Sequence, residues 1–173
     1  MEILYYSRMK SVIGPLWIAV SDKGLMFIDW GSREFPPAGF GGNIRWVTSE
    51  EKTEAVRKEL AEYFEGRRTE FTVPLDLRTG TAFQRQCWEI LTQIPFGETR
   101  SYLEVAKAAG RPGASRAVGQ ANHHNPIPII IPCHRVINTN GGLGGYGGGL
   151  DLKERLLALE GALPGSGRLF RKQ

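Results

Sequence analysis

Two short segments near the start of the chain are rich in β-branched and aromatic residues. They are GPLWIAV, residues 14–20, and GLMFIDW, residues 24–30, and only the polar tripeptide SDK separates them. Two such runs joined by a short polar connection predict a β-hairpin. The next segment, REFPPAGFGGN at 33–43, is rich in glycine and proline, which predicts a loop.

A helix is predicted from Thr48 to about Gly66. Thr48 and Glu51 have the spacing of a capping box, and apolar side chains then recur at helical spacing at Val56, Leu60, Tyr63 and Phe64. TVPLDLRTG, residues 72–80, follows as an extended connector. We therefore expect a small N-terminal domain over 1–77, a second domain over 78–163, and a basic tail over 164–173.

The second part of the chain has a helical pattern. Apolar residues recur at helical spacing from Phe83 to Ile94, and this stripe includes Cys87, which is interpreted as a small core residue. Ser101 and Glu104 form a second capping box that begins a helix. A Gly/Pro turn, RPG, leads into a third helix, ASRAVGQANHH. This predicts a helix-turn-helix, although most helical hairpins bind no DNA.

Charge separates the two parts more clearly than composition does. Residues 1–77 carry 10 Lys and Arg against 12 Asp and Glu, a balance of −2, whereas 78–173 carry 12 against 6, a balance of +6. The second part therefore has the charge of a polyanion-binding protein, although solvated surface charge gives the same count. No apolar run reaches the length of a membrane span, and no signal-peptide pattern is present, so we expect a cytoplasmic protein.

The segment IPIIIPCHRVI, 127–137, predicts a buried strand that ends at Pro132. Cys133 and His134 follow it, and adjacent strand residues point to opposite faces. A thiol and an imidazole can cooperate here only if Pro132 marks a turn or a water bridges them. Glu160 is a candidate to orient the imidazole, as in cysteine hydrolases. The alternative is an inert buried cysteine beside two surface residues.

Seven glycines lie within GGLGGYGGG, residues 141–149. The formal G-x-G-x-x-G match there is rejected as a dinucleotide site, because no strand leads through it into a helix of a βαβ unit. The segment is either a linker or a loop that lets backbone approach a ligand, and Tyr146 favours the second interpretation. A helix, LDLKERLLALE, then ends at Gly161.

IPCHRVI, preceded by GASRAVGQANHHNPIPII and followed by GGYGGGLDLKERLLALEG, resembles the O6-alkylguanine-DNA alkyltransferases. The likeness extends through FQRQCWEILTQIPFGETRSY to the N-terminal hairpin. It implies an α+β protein: a small RNase H-like α/β domain, then a mainly helical, winged helix-turn-helix-like domain. It also implies irreversible transfer of an alkyl group from O6 of guanine in DNA, and leaves open O4-alkylthymine as a second substrate.

The resemblance implies a role for each matching residue. Cys133 would accept the alkyl group, and His134 with a water and Glu160 would generate its thiolate. Tyr102 would hydrogen-bond the purine, Arg116 would fill the gap left by a flipped nucleotide, and Asn125 would form a hinge. Contacts to DNA or to the base would also come from Ala114, Ser115, Gly119, Arg135, Val136, Tyr146 and Gly147.

The expected partner is double-stranded DNA with an alkylated base, approached through the minor groove by a monomer. No cofactor is expected. Some members hold zinc through N-terminal Cys and His residues, but this chain has neither before Cys87, so no metal is expected. Two other functions stay open: a cysteine hydrolase that turns over, and a non-enzymatic protein that recognises damaged DNA. The retained Cys133 argues against the second of these, and the basic helix pair argues against the first.

Overall fold

The computed structural model describes residues 1–31, 34–36 and 42–163. Residues 33 and 37–41 of the predicted loop, and the predicted basic tail 164–173, lie outside the described residues. Contacts divide the chain into a first unit, Met1–Arg78, and a second unit that begins at Thr79. Among the described residues, none of the helices is both long and apolar enough to span a bilayer.

The first unit is a four-stranded sheet with one helix. Its elements are β1 (Glu2–Met9), β2 (Leu16–Ser21), β3 (Gly24–Trp30), β4 (Ile44–Thr48) and α1 (Glu50–Phe64). The strand order is β3-β2-β1-β4; β2 pairs antiparallel with both neighbours, and β1 pairs parallel with β4. The predicted hairpin is therefore confirmed as β2 and β3. Helix α1 packs on β1 and β2 and buries Val56, Leu60 and Tyr63.

Helix α1 begins one residue later than the sequence indicated. Its N-cap is Ser49, whose hydroxyl accepts a hydrogen bond from the Lys52 N–H at 3.2 Å. The prediction that Thr48 caps this helix is wrong, because Thr48 is the last residue of β4 and pairs with Tyr6 of β1. Strand pairing thus sets where the helix starts.

The second unit is mainly helical. Its elements are α2 (Ala82–Thr92), β5 (Arg100–Ser101), α3 (Tyr102–Ala108), α4 (Ser115–His123), a 3₁₀ turn (Cys133–Arg135), β6 (Val136–Ile137) and α5 (Leu150–Leu159). The capping box of Ser101 and Glu104 is confirmed at the start of α3. Helices α3 and α4 form the predicted pair, and both pack on α2. Cys87 and Trp88 of α2 are fully buried beneath them.

Candidate active site

The segment before Cys133 is not the predicted strand. Residues 127–131 form only an isolated bridge between Pro128 and Ile131, and Ile129 has a φ of 76°. Proline has no N–H to donate to a strand ladder, and this segment contains Pro128 and is flanked by Pro126 and Pro132. Cys133–Arg135 instead form one 3₁₀ turn directly after Pro132. The turn that cooperation between Cys133 and His134 requires is therefore present.

Behind Cys133 lies a buried cluster of three charged or titratable side chains. His134 Nε2 lies 2.7 Å from Glu160 Oε1, and Arg135 donates from Nε to Glu160 Oε2 at 2.8 Å. Arg135 Nη1 also donates to the Ile94 carbonyl at 2.6 Å. His134 has no exposed surface, and Arg135 and Glu160 are each 5% exposed. The expectation that Arg135 contacts DNA does not fit this placement, because its guanidinium is buried against Glu160.

The charges of this cluster follow from its burial and pairing. Burial alone would raise the pKa of Glu160, but attraction to His134 and Arg135 and their hydrogen bonds outweigh it and lower the pKa from 4.5 to about 2. Burial lowers the pKa of His134, against the pull of Glu160. At neutral pH a neutral imidazole therefore donates from Nε2 to the carboxylate, which leaves Nδ1 as an acceptor. Nδ1 has no hydrogen-bond partner among the described residues.

Cys133 is buried, with 5% of its surface exposed. Burial raises its pKa, while a hydrogen bond from Asn125, the positive charge of Lys153 and the Tyr146 hydroxyl act in the opposite direction. The thiol is therefore mostly protonated when the cavity is empty, and a base must remove its proton before it can act as a nucleophile.

Asn125 connects the end of α4 to the segment that carries the cysteine. Its Nδ2 donates to the Ile131 carbonyl at 2.8 Å, and its Oδ1 accepts from the Ile127 N–H at 3.0 Å. Both ends of the amide are thus engaged with backbone. This arrangement fixes the course of a segment that its prolines prevent from forming a regular ladder.

Lys153 of α5 is a residue of this site that the sequence pattern did not predict. Its side chain is fully buried, and its ammonium donates to the carbonyls of Val136 at 2.6 Å and Gly145 at 3.2 Å. Burial lowers its pKa to about 8, although nearby Cys133 acts to raise it. The sequence contained one indication of this burial. Lys153 lies three and four residues before Leu156 and Leu157, which are buried, and residues at these spacings share a helix face.

A cavity of about 650 Å³ opens in front of Cys133. Seven of the residues predicted for the site line this cavity: Tyr102, Ser115, Arg116, Gly119, Cys133, Tyr146 and Gly147. Asn122 and Asn138, which were not predicted, also line it. His134, Glu160 and Asn125 lie behind the wall, and the Val136 carbonyl is held by Lys153. Ala114 precedes α4 as its N-cap residue.

The fold and this cavity define a class of protein in which a cysteine, next in sequence to a buried His–Glu pair, faces a cavity lined by residues of a helix-turn-helix. Comparisons with known proteins make the class specific. Residues 4–77 match the ribonuclease-like domain, and residues 82–162 the DNA binding domain, of 6-O-methylguanine DNA methyltransferase.

Relatives cover nearly the whole chain. The methylated-DNA–protein-cysteine methyltransferase of Mycolicibacterium paratuberculosis is 47% identical to it, and the match covers 91% of this chain and 93% of the relative. The methylated-DNA–protein-cysteine methyltransferase of Methanosarcina acetivorans is 46% identical, and the match covers 92% of this chain and 99% of the relative. The crystal structure of Mycobacterium tuberculosis O6-methylguanine methyltransferase has a TM-score of 0.82 at 45% identity, covering 94% of this chain and 96% of that one. A crystal structure of the M. tuberculosis protein in complex with DNA also has a TM-score of 0.82, at 46% identity, and the match covers 90% of this chain and 92% of that one. The chain belongs to the methylated-DNA–protein-cysteine methyltransferase family.

Proposed function

We propose that the protein repairs DNA by moving the alkyl group of O6-alkylguanine to Sγ of its own Cys133. The observation that carries this proposal is the placement of Cys133 at the wall of a cavity large enough for a nucleobase, with a neutral histidine behind it, in a chain of this family. One S–C bond forms and the C–O6 bond breaks. The thiol proton ends on the restored guanine, so atoms and charge balance.

His134 is the base in this proposal. Its Nδ1 is an acceptor without a protein partner among the described residues, while Glu160 holds Nε2–H and so fixes the tautomer. We expect a water between Nδ1 and the thiol to carry the proton. Because burial raises the pKa of Cys133, this proton transfer has to accompany substrate binding.

Most of the acceleration must then come from positioning and from stabilising the departing guanine. Lowering a thiol pKa gains thiolate but loses about half of that gain, on a logarithmic scale, to weaker nucleophilicity. Tyr102 and the backbone of Tyr146–Gly147 line the cavity where the base would sit. Burial and the nearby Cys133 raise the pKa of the Tyr102 hydroxyl, which therefore stays protonated and able to donate. Donors fixed in advance stabilise developing negative charge effectively.

The base would reach the cavity by extrusion from the duplex, which requires a few kcal/mol. Arg116 is exposed on α4 and lines the mouth of the cavity, which suits a side chain that fills the space left by the nucleotide. The small residues Ala114, Ser115 and Gly119 along the same helix would allow close approach, through the minor groove. We further propose that the protein acts as a monomer in the cytoplasm; O4-alkylthymine stays open as a second substrate.

Intact mass spectrometry tests the reaction. With excess DNA containing O6-methylguanine, each chain should gain one methyl group, located on the Cys133 peptide. Cys87 is the internal control: it is fully buried in the core and should stay unmodified. Cys133→Ala should bind the same DNA and gain no mass. Repeated turnover by each molecule would instead support a hydrolase, and binding without transfer by the unaltered protein would support a damage-recognition protein.

A further inference from the structure

The side chain of Asn122 on α4 is in an unusual environment. It lines the cavity in front of Cys133, yet neither Nδ2 nor Oδ1 has a hydrogen-bond partner among the described residues, and both atoms lack water-accessible surface. Three residues later, Asn125 has both amide atoms paired at 2.8 and 3.0 Å. Buried polar groups in native proteins are nearly always paired. We therefore expect the unpaired amide of Asn122 to bind a partner that the free protein does not provide.

The helix geometry directs Asn122 to the same space as the proposed substrate. Ser115, Gly119 and Asn122 have the i, i+4, i+7 spacing of one helix face, and all three line the cavity. A Cβ at Gly119 would lie 3.9 Å from the Tyr102 ring. Because Nδ2 and Oδ1 have no accessible surface in the free protein, the Asn122 side chain has to rotate to bring its amide to a base bound beside Tyr102.

The chemistry of the lesion supplies a matching partner. Alkylation at O6 removes the proton from N1 of guanine, so N1 becomes an acceptor next to the N2 amine, which is a donor. A carboxamide offers one donor group and one acceptor side by side. Ordinary guanine presents two donors at the same edge, and the amide cannot pair with both.

We propose that Asn122 reads the N1/N2 edge of the extruded base, with Nδ2 donating to N1 and Oδ1 accepting from the N2 amine. This inference rests on the proposed function. The amide has already lost its water in the free protein, so pairing with the base restores a hydrogen bond without a new desolvation cost. The same contact is lost when dealkylation returns the proton to N1, which favours release of the repaired base.

The test combines Asn122→Leu, which keeps the size and removes the polarity, with three single-stranded oligonucleotides. They carry O6-methylguanine, its 1-deaza analogue, or O6-methylhypoxanthine, which lacks the N2 amine. Because each analogue also changes the leaving group, the readout is the ratio of the rates of the unaltered protein and Asn122→Leu on the same oligonucleotide. That ratio should be about tenfold smaller on each analogue than on O6-methylguanine, the value of one neutral hydrogen bond. Asn122→Leu should be at least tenfold slower than the unaltered protein on O6-methylguanine.

Stability separates this role from a structural one. Because the amide is unpaired in the free protein, Asn122→Leu should melt at the same or a higher temperature, whereas loss of a structural hydrogen bond would lower it. Gln120→Leu, the same kind of change at an exposed position of α4, is the control and should leave all three rates unchanged. An equal loss on all three substrates, or no loss at all, overturns the inference while methylation of Cys133 still supports the proposed function. Failure of the unaltered protein to methylate Cys133 would instead overturn the proposed function.

Discussion

Replacing Glu160 by glutamine should remove most of the electrostatic support beneath the active site. The carboxylate is bound by Arg135 at 2.8 and 2.9 Å and by His134 at 2.7 Å, with all three side chains buried. Its pKa is lowered from 4.5 to about 2. At about 1.4 kcal/mol per tenfold, that difference corresponds to at most about 3 kcal/mol of stability at neutral pH, because part of it comes from attraction to a charged His134, which is neutral there. Loss of one partner of a buried ion pair commonly has an effect of about 3–5 kcal/mol, which agrees.

The pH dependence of the free energy of unfolding shows whether the loss comes from the charge of Glu160. A group whose pKa is lower in the folded state stabilises the protein above its unfolded pKa, here 4.5, and that stabilisation is lost as pH falls towards 2. Urea denaturation followed by circular dichroism should therefore give a difference of up to about 3 kcal/mol between the unaltered protein and Glu160→Gln at pH 7. At pH 3 more than half of that difference should be gone, by the same linkage relation.

Glu154→Gln is the matched control, because Glu154 lies on the same helix and is exposed. Its free energy of unfolding should stay within about 0.5 kcal/mol of the unaltered protein at either pH. Equal destabilisation of Glu160→Gln at pH 7 and pH 3 would show that the loss comes from packing and not from the charge.

Three further changes test other parts of the site. Arg116→Ala should react slowly with duplex DNA but nearly normally with free O6-benzylguanine, and Arg116→Lys should recover only part of the duplex rate; equal loss on both substrates would contradict a role in extrusion. Gly144→Ala should slow transfer from both substrates, because Gly144 has a φ of 71° and a Cβ would lie 3.0 Å from the Tyr102 hydroxyl, whereas Gly145→Ala has open space and should react normally. Lys153→Met should raise the pKa of Cys133, seen as a higher midpoint in the pH dependence of iodoacetamide alkylation, and an unchanged midpoint would show that its charge does not reach the thiol.

Features that depend on near neighbours in the chain could be predicted from the sequence. The hairpin of β2 and β3 needs only a two-residue connection, and the cap of α3 involves only Ser101 and Glu104. The burial of Cys87 followed from the apolar spacing around it. In contrast, β1 was missed, because its core face includes Ser7, a polar residue whose hydroxyl is satisfied by Thr53 of α1 at 2.6 Å. Only the folded sheet brings those two hydroxyls together.

The sequence alone predicted the hairpin of β2 and β3, the order of the helices, the cysteine that would react and the family that the chain resembles. The tertiary structure decided which polar groups share a buried space: Arg135 lies against Glu160 and away from solvent, and Lys153 is inside the unit, held by two carbonyls. From the sequence alone a charged residue is expected at the surface, because burying a charge is unfavourable unless a partner is present. Those partners lie 25 residues away for Arg135 and 17 for Lys153–Val136, so no local pattern contains them. Long-range packing therefore set the electrostatics around Cys133.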